Sequence, residues 1–419
     1  MGKPKIRFEG YEEDWEQRKL SEFVLFFNGL TYSPSDIQET GTLVLRSSNV
    51  KDGEIIDADN VYVSDKVAVS ENVQKGDIIV VVRNGSRALI GKHAQIKGSM
   101  PNTVIGAFMS GIRSKYSSFV NALLDTSTFE NEIAKNMGAT INQITGYMFS
   151  KMEFMIPSEE EQQRIGKYFS DLDSLITLHQ RKCEETKKLK KYMLQNMFPK
   201  EEEKVPKIRF SGFTDDWEQR KLGEMLHSLK NNTLSRAELT YEESGIKNVH
   251  YGDILIKYGE ILDIKKEKLP SIINAEIAEK YKTSFLQNGD IIFADTAEDE
   301  TVGKCSEIAG LTNEKVLSGL HTIPYRPQLE FATGYLGYYL NSNAFHQQLI
   351  PFMQGIKVTS ISKSAMQNMK VFYPKFLEEQ KKIGIYFSAL DESITLHHHK
   401  LFTPTSHPKT PKEMTKCQN

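Results

Sequence analysis

The chain has 419 residues, 39% of them apolar and 26% charged, with a formal net charge of −2. That is enough for two or three domains with full cores, and it excludes a disordered, collagenous or polycationic chain. Contact with nucleic acid would need local basic patches or a partner's charge. No apolar run approaches the roughly 18 residues of a membrane span, and the N-terminus, MGKPKIRFEG, lacks the apolar core of a signal peptide. Cys183, Cys305 and Cys417 are odd in number and outside metal-binding spacings, so a reducing compartment, the cytoplasm, is expected.

Residues 4–23 read PKIRFEGYEEDWEQRKLSEF and return at 206–225 as PKIRFSGFTDDWEQRKLGEM, without a gap. Such a recurrence marks an internal duplication. The first body, 1–156, has a mixed strand-and-turn pattern. GDIIVVV (76–82) predicts a strand entered through a Gly-Asp turn, and the Asn84-Gly85 pair after it predicts a tight hairpin turn. Arg83, Asn84, Ser86, Arg87, Lys92 and His93 cluster there, and they are of the types that bond base edges and phosphates. Taken alone, the same cluster also fits a solvated basic turn. Residues 116–137 have helical periodicity.

A long helix is predicted over 157–199. Pro157, Ser158 and three acidic residues suit its start, and Pro199 stops it. Ile165, Phe169, Leu172, Ile176, His179 and Cys183 recur at intervals of four and three, a coiled-coil seam. At about 1.5 Å per residue this rod is roughly 60 Å long, enough to hold two globules apart.

The second half repeats the plan in the same order. Within 200–373, GDIIFADTAEDETVGK (289–304) echoes the first-body strand, but its turn is acidic: Asp295, Thr296, Glu298, Asp299, Glu300 and Thr301. Carboxylates repel phosphate yet can accept a bond from the cytosine amino group. Thr296, Lys304, His321 and Lys357 are the candidate contacts there. Residues 331–350 are again helical in pattern. A second long helix, 374–402, carries Ile383, Phe387, Leu390, Ile394, His397 and Leu401 at the seam spacing. Matching seams predict that the two helices pack on each other. His179 and His397 share one seam position, which fits a metal or pH-sensing site or, in the simpler reading, a polar residue that sets register. His397–His399 cannot chelate one ion, since consecutive helical residues point in different directions. From 403 to 419 the pattern fails. Prolines stand at 404, 408 and 411, each costing about 3 kcal/mol inside a helix, and the segment reads as an atypical, disordered tail.

No phosphate loop, methyl-donor or dinucleotide fingerprint, HExxH, GxSxG or Asn-Pro-Pro-aromatic tetrapeptide occurs; TIPYRP (322–327) resembles the last only superficially. The acidic turn near Lys304 lacks the strand-borne carboxylate-x-lysine pattern of a nuclease. A large duplicated chain without catalytic motifs suits a recogniser, and a shared frame with divergent bodies suits two different short elements, with DNA the natural candidate.

The two PKIRF-x-G-x3-DWEQRKL segments, the two EEQ-x2-IG-x-YFS-x-LD-x2-IT-LH helices and the two GDII strands together resemble the specificity subunit of a type I restriction-modification system. The resemblance implies an α+β chain: two pseudo-repeated target recognition domains separated by two long antiparallel helices in a coiled coil. It implies that each body reads half of a bipartite double-stranded DNA target. It also implies that the helices dock two methyltransferase subunits, which assemble with restriction and translocase subunits. The subunit itself would be non-catalytic and without cofactor; S-adenosylmethionine, ATP and magnesium would enter with the partners. The altered tail departs from the family's basic, leucine-bearing second-helix continuation. The rival readings are a truncated, degenerate specificity subunit, a stand-alone two-headed DNA-binding protein, and a scaffold indifferent to DNA.

Overall fold

The computed structural model describes residues 4–137, 142–200, 203–242, 245–274, 276, 280–355, 357–402 and 414–416. The chain forms two compact units, 1–178 with 403–419 and 179–402. The boundary falls inside the first long helix, which runs unbroken over Glu159–Asn196 and belongs to both units.

In the first unit, Ile78–Val81 is wholly buried, as its unbroken β-branched run requires when both faces are covered. It lies between His93–Gln95 and Met109–Arg113 in an antiparallel sheet closed by Leu25–Asn28. Gly76 takes the left-handed conformation (φ +96°) and the Asp77 carboxylate accepts the Gln74 N–H, so the Gly-Asp pair does make the turn. Asn84-Gly85 does not make a tight hairpin. Gly85 is not among the residues with positive φ, and the sheet partners are joined through a wider loop containing one 3-10 turn, Arg87–Leu89. The predicted helix over 116–137 is two helices, Ser117–Leu124 and Ser127–Asn136, divided where Thr126 caps the second by accepting the Phe129 N–H at 3.3 Å.

The second unit repeats this arrangement. Ile291–Ala294 lies between Cys305–Ala309 and Thr322–Pro327 in a five-stranded sheet. Ser342 divides helices Tyr335–Leu340 and Asn343–Leu349 as Thr126 does in the first copy. In the tail, a strand, Met414–Lys416, pairs antiparallel with Ile6–Phe8, where the sequence suggested no order. The side chains of His399 and Leu401, and Cys417 as a whole, lie outside the described residues.

The duplicated motifs form a clamp between each body and its long helix. In the first unit, buried Glu161 accepts two bonds from Arg7 (Nε 2.8 Å, Nη2 2.7 Å) and one from Trp15 Nε1 (3.2 Å). The neighbouring Gln162 amide donates to the Pro157 carbonyl at 2.9 Å. In the second unit, Glu379 binds Arg209 (2.6 and 2.9 Å) and Trp217 (3.3 Å), and Gln380 binds the Pro374 carbonyl. Phe8 meets Tyr168 edge-on at 5.8 Å, and Phe210 meets Tyr386 at 6.0 Å. The EQRK of each DWEQRKL is a strand, Glu16–Lys19 or Glu218–Lys221, paired with the strand just before the long helix. The following Leu20 and Leu222 are fully buried. The helix glycines allow close approach: a Cβ at Gly166 would lie 2.6 Å from the Phe119 nitrogen, and one at Gly384 2.6 Å from the Thr333 oxygen.

Among the buried charges that distinguish the copies is Glu307. Glu307 accepts the Gly334 and Gly337 N–H groups at 2.6 and 2.9 Å, where the first copy has the neutral Gln95. Burial pushes the Glu307 carboxyl up to about 7, against the pull of those two N–H groups. An acid with a raised folded pKa stabilises the fold below its unfolded value and loses that contribution as pH rises through the folded one. The second unit should therefore lose on the order of 2–3 kcal/mol from this group between about pH 4.5 and 8. Glu307→Gln should flatten the slope in urea unfolding followed across that range; an unchanged slope would place the charge elsewhere.

Candidate nucleic-acid interface

Each body exposes a loop at the end of its central strand, propped by the segment that leads toward its long helix. In the first body, Arg83 is exposed, bridges to Gln143 through the backbone, and lays its guanidinium over the Phe108 ring at 5.0 Å. Asn84 donates to Ser47 Oγ at 3.0 Å and accepts the Ser86 N–H, while Asn142 donates to the Gly85 carbonyl. Ser86 and Arg87 are exposed beside them, and Lys92 is half-buried at the loop's end. His93 does not join this group. Its side chain is 8% exposed, its Nδ1 lies 3.0 Å from the Gly91 oxygen, and its ring meets Phe129 edge-on. Strand alternation turns it toward the helices and away from the loop.

In the second body, Thr296–Ala297 pairs with Thr359–Ser360, next to exposed Lys357. Thr296 Oγ1 donates to Asp295 and lies 3.4 Å from His321 Nδ1. His321 is half-exposed, holds a left-handed backbone (φ 54°) and meets Tyr251 edge-on at 5.3 Å. A non-glycine residue in that conformation is strained, which recurs at ligand-contacting positions. Lys304 is engaged elsewhere: its ammonium donates to the Leu255 and Tyr258 carbonyls at 3.0 and 3.1 Å, and burial pushes its pKa down. It anchors the end of helix Tyr251–Ile256 and leaves the contact set. Glu298, Asp299 and Glu300 are exposed, and bonds from Thr301 hold the Asp299 carboxyl below its usual range.

Phe108, Ser47 and Gln143 in the first body, and Tyr251 and Ser360 in the second, were not singled out from the sequence. They sit 25 to 70 positions from the loops they support or lie in ordinary contexts; only Phe108, a large ring between two short strands, carried a signal.

The helix residues fall into two classes. In the second unit Ile383 and Phe387 are buried and Leu390 and Ile394 half-buried against the end of the first helix. Phe198 stacks on Phe387 at 5.8 Å, Cys183 Sγ approaches the Ile394 carbonyl at 3.9 Å, and Lys190 bonds Asp391 at 2.6 Å. The partner numbers fall as the helix numbers rise, so the pairing is antiparallel. The two matching seams therefore do not meet residue for residue, except at the centre, where His179 and His397 share a bond of 3.0 Å between Nδ1 atoms. In the first unit Ile165 is half-buried, while Phe169, Leu172 and Ile176 are exposed.

The family model for the type I restriction modification DNA specificity domain matches the chain twice, over residues 12–188 and 214–402. The chain belongs to the type I DNA specificity family. As a specificity subunit it recognises DNA sequence for a type I restriction-modification system, and a match over both halves favours this over a stand-alone regulator. The chain is similar to the type I restriction enzyme MjaVIII specificity subunit of Methanocaldococcus jannaschii, at 24% identity over 92% of this chain and 88% of that one. It is 26% identical to the EcoKI specificity subunit of Escherichia coli K12, over 39% of this chain and 36% of that one. The S subunit of a type I restriction-modification system from M. genitalium shares the fold, with a TM-score of 0.56, 14% identity, and 93% and 92% coverage. In this specificity subunit the family matches take in each exposed loop and most of each long helix. Among the described residues, no helix is long and apolar enough to cross a membrane.

Proposed function

We propose that each body reads one half of a bipartite DNA target, through the loop at the end of its central strand. The single observation that carries this is the same loop, in the same setting, bearing Arg83 and Asn84 in one copy and Asp295 and Thr296, with His321 packed beside them, in the other. Two frames alike and two reading edges unlike suit a target with two different halves. The subunit works in the cytoplasm and is non-catalytic; two methyltransferase subunits dock on the long helices and bring S-adenosylmethionine, and restriction-translocase subunits bring ATP and magnesium. Leu178 and Leu396, exposed at the same repeat position in both copies, are the positions for a partner present twice. Mapping methylated bases in DNA modified by this chain with its methyltransferase tests the reading. Sites with a single half, or methylation independent of this chain, would end it.

Arg83 provides a sharper check, since its guanidinium can offer a bidentate fork to guanine. Arg83→Ala should cost about 1–3 kcal/mol in binding and relax one position of one half-site. Unchanged preference in the methylation map would return the loop to a solvated turn.

A further inference from the structure

The internal repeat supplies its own template for one unpaired surface. Position for position, Phe169 matches Phe387, Leu172 matches Leu390, Ile176 matches Ile394 and Asp173 matches Asp391. Phe387 is 0% exposed and Phe169 46%. The difference has an identified cause in the second unit, where residues 183–198 lie along the second helix. Phe198 stacks on Phe387, and Lys190 bonds both Asp391 (2.6 Å) and Glu260 (2.8 Å). In the first copy the matching carboxylates are Asp173 and Glu54. Glu54 is taken by Lys97, and Asp173 has no ion-pair partner among the described residues. The residues that align with 183–198 are 401–416, where Pro408 stands at the place of Lys190 and Lys416 at that of Phe198. Met414–Lys416 is a strand paired with Ile6–Phe8, so the residue at the place of Phe198 is not helical.

We infer that the face formed by Ile165, Phe169, Leu172 and Ile176, with Asp173 beside it, is a docking site for a basic amphipathic helix donated by a separate polypeptide. The occupant has the chemistry of residues 183–198: a lysine for Asp173 and, two turns later, an aromatic ring for Phe169. A second copy of this chain is a poor donor, because its own 183–198 segment is committed. Met197 and Phe198 are 2% and 1% exposed in the core of their own second unit. Leu178 and Leu396 are exposed in both copies, so the twice-present partner proposed above does not account for a face open in only one. The docking face is defined by the repeat and does not depend on which DNA, if any, is bound.

The probe is a synthetic peptide of residues 181–200, fluorescently labelled, with a benzophenone side chain at the position of Phe198, titrated into the full-length chain. The expected result is saturable 1:1 binding and cross-linking to the Phe169 segment. Asp173→Lys should weaken binding at least about tenfold, and a peptide carrying Lys190→Asp should restore it on that variant. Phe169→Ala should weaken it without changing the protein's circular dichroism. Four results would overturn the inference. The first is an absence of saturable binding. The second is a cross-link on the Phe387 segment, which means displacement of the resident helix. The third is binding only after removal of residues 403–419, which means the chain covers its own face. The fourth is self-association in sedimentation that the peptide dissolves, which means a second copy is the occupant. DNA recognition is measured separately by methylation mapping, so failure of one leaves the other standing.

Discussion

Glu379→Ala will destabilise the second unit by about 3–5 kcal/mol. Its carboxylate is fully buried and accepts both arms of Arg209 and the indole N–H of Trp217, itself 5% exposed. Truncation leaves a guanidinium and an indole donor facing a void that offers no acceptor, and an unpaired buried charge costs several times what an exposed ion pair contributes. It also removes the hydrogen bonds that tie the start of the second long helix to the Arg209–Trp217 segment, leaving contacts such as Phe210 on Tyr386 and Lys382 over the Phe213 ring to hold them. Glu379→Gln keeps one acceptor oxygen and should lose less. Glu161→Ala should do the same to the first unit through Arg7 and Trp15. Urea unfolding followed by tryptophan fluorescence measures both, since each unit contains one of the two tryptophans. A loss below about 1 kcal/mol, the scale of a surface ion pair, would show that the clamp is ornamental.

A seven-residue insertion after Lys182 will abolish or change recognition of the paired site while each body keeps its own half-site preference. The insertion point follows His179 and precedes Cys183, so the contacts of Cys183, Lys190 and Phe198 with the second helix are untouched, and the His179–His397 bond is displaced. Seven residues preserve the seam and add about 10 Å, close to three base pairs at about 3.4 Å each. Seven residues are nearly two helical turns, so the first body rotates little about the helix axis. The DNA groove rotates about 100° over the same three base pairs, given roughly 10.5 per turn. The mismatch is therefore angular more than linear. Methylation mapping of the insertion variant with its partner decides the matter. An unchanged spacer between half-sites together with unchanged activity would mean that the helix does not set the separation.

The sequence alone determined the duplication, the order of segments, the central strands and both long helices. These rest on local signals: β-branched runs, Gly-Asp turns, proline stops and apolar spacing, each readable within a few residues. It also located the two loops, because they follow those strands directly. What DWEQRKL is for could not be read, since its meaning lies in Arg7, Trp15 and Glu161 meeting across about 150 positions. Pairing of a buried carboxylate is a tertiary event with no local pattern. The same limit explains His93 and Lys304. Both belong to residue types suited to DNA, and only the packed structure turns one toward Phe129 and commits the other to two carbonyls. In the seams, spacing decides which residues of a helix share a face, but direction and stagger decide what that face meets. Antiparallel pairing about His179 and His397 buries Phe387 beneath Phe198, and the identical heptad position in the other copy, Phe169, is left in solvent.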